Sequence, residues 1–72
     1  SIKLPLTLSI NSKNYKKIIE LEEVFNNMDL IPDFYILKFD NKNTQFRVIY
    51  NGSPKTFFNS MKKKKFSFIN ER

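Results

Sequence analysis

From Ile2 to Ile10 every even position is apolar and every odd one is polar or proline. Successive side chains leave a strand on opposite sides, so this alternation commits the segment to one strand with one dry face. Ile2, Leu4, Leu6, Leu8 and Ile10 form that face, while Lys3, Pro5, Thr7 and Ser9 form the other. The rest of the chain must supply the layer that covers the dry face. With 72 residues in all, that leaves one domain with a thin core, since chains of this size bury only about 60% of their unfolded surface.

Asn11-Ser12-Lys13-Asn14 offers capping side chains. A helix is expected after it, roughly Asn14 to Met28, with Ile18, Leu21, Phe25 and Met28 at spacings of three and four and Tyr15, Ile19 and Val24 widening the stripe. Pro32 bars continuation. A second strand follows over Asp33–Asp40; taking Lys38 as the outward marker, Tyr35, Leu37 and Phe39 face the core and Phe34 and Ile36 the open side. Asn41-Lys42-Asn43 turns the chain into a third strand, Thr44–Tyr50, in which Phe46, Val48 and Tyr50 alternate with Gln45, Arg47 and Ile49. Gly52 allows a close turn, Ser53 is an N-cap and Pro54 suits the first helical position of a second helix, about Pro54 to Lys64, with Phe57, Phe58 and Met61 inward. Phe66, Phe68 and Ile69 read as a short final strand.

The order strand, helix, strand, strand, helix, strand defines an α+β class: a ferredoxin-like βαββαβ two-layer sandwich. It has a four-stranded antiparallel sheet with two helices on one face, and strands one and three lie in the centre. Residues 1–72 then form a single domain whose core gathers Leu4, Leu6, Leu8, Ile18, Leu21, Phe25, Leu37, Val48, Phe57 and Phe68. The first residue, Ser1, reads as the start of a domain excised from a longer protein or of a processed product.

The chain has no Cys and no His. Thiol chemistry, disulfides and the commonest general base are therefore excluded. The carboxylates Glu20, Glu22, Glu23, Asp29, Asp33, Asp40 and Glu71 include no pair set among apolar groups, the setting that would shift a pKa for acid–base work. No catalytic, cofactor-binding or metal-binding residue is expected, and no apolar run reaches the length of a membrane span.

A net charge of +6 raises the question of nucleic acid. Yet Lys outnumbers Arg eleven to two, and Asn, Ile and Phe are abundant while Ala is missing. AT-rich codons impose that pattern, and Lys lacks the planar fork with which Arg grips phosphates and bases. The open sheet face is expected to carry Lys3, Phe34, Lys38, Gln45 and Arg47, and the run Lys62-Lys63-Lys64-Lys65 closes the second helix, where cations suit the dipole. These residues form the candidate binding surface. The first strand has no aromatic, so the paired stacking platform of an RNA-recognition sheet is incomplete. Nucleic-acid binding there would be weak and unspecific.

Tyr50-x-Gly52-Ser53, then Phe57, Met61, a basic stretch and Phe66-x-Phe68 form a spaced pattern. It resembles the final αβ module of a family of exported proteobacterial proteins of unknown function. Tyr15 stands at the family's usual Trp position, and Lys65 replaces its usual Gly before the last strand. The resemblance implies the periplasm or cell envelope and no known activity. The function it implies is a non-enzymatic assembly or protein-interaction module, with a protein partner or other domains of the same chain. The alternative is an RNA-recognition-like module using the open face and the lysine run.

Overall fold

The computed structural model describes residues 3–68. Its elements are β1 (Leu4–Asn11), α1 (Tyr15–Asn26), β2 (Asp33–Phe39), β3 (Asn43–Tyr50) and α2 (Pro54–Lys63). The strands form one antiparallel sheet in the order β1-β3-β2. The chain is thus a small α+β domain with three strands among the described residues.

The central strand organises the core. On β3, Thr44, Phe46, Val48 and Tyr50 are buried. Across the ladder they face Ile10, Leu8, Leu6 and Leu4 of β1, the alternating set that opens the sequence. Both helices cover this side: Leu21 and Phe25 come from α1, and Phe57 and Met61 from α2. Phe25 meets Phe34 at 5.3 Å and Phe46 at 5.9 Å, edge to face, and Tyr50 meets Phe57 in the same way at 5.2 Å. The helix starts follow the sequence. The Asn14 side chain accepts from the Lys17 N–H, and Ser53 Oγ accepts from the Thr56 N–H with Pro54 inside the first turn.

Two expectations are corrected. The first concerns β2. Phe34 points at the core, whereas Tyr35 and Leu37 are exposed and Phe39 is the most exposed residue of the four apolar ones at the strand's outer part. A bulge between Ile36 and Lys38 is the reason. Lys38 does face outward, but the extra residue reverses the alternation. Inferring the facing of residues 33–36 from Lys38 therefore inverts it.

The second correction concerns the four-stranded ferredoxin-like sheet. Residues 66–68 are not a strand, and Ile69 lies outside the described residues. The chain leaves α2 through Lys65, which has φ 67°. The Lys65 N–H donates to the Lys62 carbonyl and the Phe66 N–H to the Met61 carbonyl, each at 2.9 Å. These paired bonds with a left-handed residue are a Schellman cap, in which the following apolar side chain folds back onto the helix. Phe66 is accordingly buried, and Lys17 of α1 lies 5.4 Å from its ring centre. Phe66 is thus drawn toward the helical layer. Phe68 follows, its ring 6.3 Å from that of Phe58.

Gly52 is required by proximity and not by a positive φ. A Cβ there would sit 2.6 Å from Cε2 of Tyr50 and 3.1 Å from Thr56 Oγ1. The Tyr50 ring is fully buried and its hydroxyl lies 3.1 Å from Thr56 Oγ1, so it has no room to yield. Gly52→Ala should cost about 1–3 kcal/mol in urea denaturation, as overpacking does; a change under about 0.5 kcal/mol would contradict this contact. Lys65→Gly should stabilise the chain by about 0.5–1 kcal/mol, because glycine removes the left-handed penalty. A loss of stability in the glycine variant would mean that the Lys65 side chain contributes more than the backbone strain removes.

Candidate interaction surface

Both faces and both edges of the sheet can be read from its register. On the face away from the helices, Pro5, Ile49 and Asp33 form one row, Thr7, Arg47 and Tyr35 the next, and Ser9, Gln45 and Lys38 a third. Lys3 is exposed just ahead of β1. Lys38, Gln45 and Arg47 thus reach one side of the sheet, as the sequence indicated. Phe34 does not: it packs under α1 against Phe25. Lys62, Lys63, Lys64 and Lys65 end α2 in the helical layer. The basic run and the basic sheet residues therefore lie on different layers and do not make one patch.

The sequence reading missed an apolar edge. β2 is an outer strand of the sheet. Tyr35, Ile36, Leu37 and Phe39 are all at least 44% exposed, and Phe39 reaches 67%. Six of the seven β2 residues are exposed, Phe34 being the exception. A long outer strand with exposed apolar side chains is what proteins usually avoid, because its unpaired backbone groups accept another strand. On α1, Tyr15 and Ile19 are also exposed, off the buried stripe that their spacing suggests. Lys17 turns toward Phe66, and Ile19 lies roughly 200° further round the helix, on the flank away from that tail. The available signal for the edge was the run Phe34-Tyr35-Ile36-Leu37, in which both faces of one strand are apolar.

Polar contacts hold the far end of β2. Asp40 Oδ1 accepts the N–H groups of Lys42 at 2.8 Å and Asn43 at 2.7 Å, closing the hairpin as an Asx turn. The buried Ser12 donates to the Asp40 carbonyl at 2.6 Å and lies 2.9 Å from Thr44 Oγ1, while its own N–H donates to the Lys42 carbonyl at 2.9 Å. The hairpin tip is so fastened to the end of β1. Among the described residues no group of three or more His, Cys, Asp or Glu comes together as metal ligands would, and no helix is long and apolar enough to cross a membrane.

The fold and this surface define a small α+β domain with an open antiparallel sheet and one apolar outer strand. Comparison with known proteins adds no relative: no family model, curated protein or solved structure matches the chain.

The backbone bonds from Asn43 and Lys42 hold the Asp40 carboxyl below the ordinary carboxylate pKa. A carboxyl whose pKa is depressed on folding contributes stability above the unfolded value of about 3.9 and loses it as pH falls through the folded value. Urea midpoints taken from about pH 5 down to about pH 2 should therefore fall more steeply in the native chain than in Asp40→Asn, which keeps an acceptor oxygen but cannot titrate. Identical slopes would show that the turn does not depend on the charge.

Proposed function

We propose that this domain is a non-enzymatic protein-interaction module that receives its partner along β2. The observation that carries the reading is the exposure of Tyr35, Ile36, Leu37 and Phe39 on one outer strand. Strand addition suits such an edge, because backbone hydrogen bonds supply affinity and alternate side chains supply selectivity. The likeness to exported proteobacterial proteins adds a setting, the bacterial envelope, where small αβ modules dock on one another.

Nucleic acid is the competing partner. One observation favours it: Arg47 stands between Thr7 and Tyr35, so a guanidinium and an aromatic ring share a row of the open face. Against it, the lysine run lies on the other layer, and Tyr35 is the lone aromatic in the three rows. Stacking contributes about 1–3 kcal/mol for each base that has a ring to rest on. One ring and scattered lysines give affinity without sequence readout.

A photo-crosslinking side chain at position 39, and separately at position 7, in the chain made by its own host, separates the two readings. Position 39 should give adducts that protease removes and nuclease leaves intact, and position 7 should give few. Nuclease-sensitive adducts from position 7, with none from position 39, would overturn the proposal.

A further inference from the structure

The sequence of β2 is complementary to itself. Counting the bulge at Ile36 and Leu37 as one position, Asp33, Tyr35 and Lys38 lie on the open face. Phe34, Ile36 and Phe39, opposite Val48, Phe46 and Thr44, lie on the helix side. We propose that the partner on β2 is a second copy of this chain, its β2 antiparallel to the first about a two-fold axis at Tyr35. The two described three-stranded sheets then join into one of six strands, with the described helices on the same face. This inference rests on the interaction reading above and names its occupant.

Charge selects the register. A two-fold axis between antiparallel strands stands normal to the sheet, so open-face residues must meet open-face residues. With Tyr35 opposite its own copy, Asp33 of each chain falls opposite Lys38 of the other, and Phe34 falls opposite Ile36. Slipping the strands until Asp33 meets Asp33, or Lys38 meets Lys38, sets like charges face to face, which disfavours pairing. Asp33 and Lys38 are both exposed, so their charges are open to an incoming strand. Lys38 already lowers the Asp40 pKa from within its own chain; pairing gives its ammonium a second carboxylate. The other outer strand, β1, carries Pro5, which has no N–H to give. The charged ends of β2, devices that discourage indiscriminate edge pairing, here admit one partner in one register.

Sedimentation equilibrium on the 72-residue chain at low salt tests this. The native chain should show a monomer–dimer equilibrium. Lys38→Asp alone sets Asp33 against an aspartate, and Asp33→Lys alone sets Lys38 against a lysine; each should weaken self-association by roughly tenfold or more. The double exchange Asp33→Lys with Lys38→Asp should restore it. Mixing the two single variants should give a heterodimer, because each then presents the charges the other lacks. Circular dichroism verifies that the variants fold. A native chain that stays monomeric at millimolar concentration overturns the proposal, as does a double exchange that fails to rescue. If position 39 still crosslinks to protein in that case, the second copy is wrong and the interaction module stands. If it yields no protein adduct, both fall.

Discussion

The packing of Phe25 between Phe34 and Phe46 is the contact on which the rest of the molecule depends. It brings α1 down onto two strands at once, at ring separations of 5.3 Å and 5.9 Å. Because Phe34 is claimed by the core, its neighbour Tyr35 must turn to the open face, into the row with Arg47 and Thr7. Three residues on, the bulge spends one extra position and leaves Ile36, Leu37 and Phe39 at an edge that α1 does not cover. The exposed edge is therefore a consequence of how a thin core was filled. Phe25, Phe34 and Phe46 fill the core there, and among the described residues nothing buries the remaining apolar groups at the outer end of β2.

The second constraint acts at the other end of the molecule. After α2 the chain makes a left-handed turn at Lys65, and Phe66 is pulled back beneath the helices. The same cap places Lys65, a residue with a Cβ, in the left-handed region. The two outer strands differ in what they can accept: β1 carries Pro5 and alternates polar residues on its wet face, whereas β2 carries apolar residues on both faces. In the proposed dimer, that asymmetry places the second copy on β2.

Much of this was legible in the residues. The alternation of β1 and β3, the capping by Asn14 and Ser53 with Pro54, and the hairpin at residues 40–43 all follow local rules that the structure obeys. So does the arrival of Lys38, Gln45 and Arg47 on one face. The facing of β2 was not legible, because Phe34 to Leu37 are apolar at every position and the one charged marker, Lys38, lies beyond the bulge. A bulge leaves no signature in a segment where both faces are hydrophobic. Phe66-x-Phe68 has the period of a strand, yet Phe66 is folded back by the cap at Lys65 and buried in the core, and lysine does not announce a positive φ. The tie from Ser12 to Asp40 and Thr44 spans about thirty residues of sequence. Only the local part of it, Asp40 ahead of Lys42 and Asn43, had a readable turn signal.

The facing of β2 governs the surface, the proposed register and the role given to Phe39, so it is the point to measure. Nuclear Overhauser contacts in a sample with selectively labelled aromatic rings report it directly. Contacts should run from the Phe25 ring to Phe34 and Phe46, and from the Tyr35 ring to the side chain of Arg47, its cross-strand neighbour. Contacts from Phe25 to Tyr35 or Leu37, with Phe34 free of the core, would contradict it.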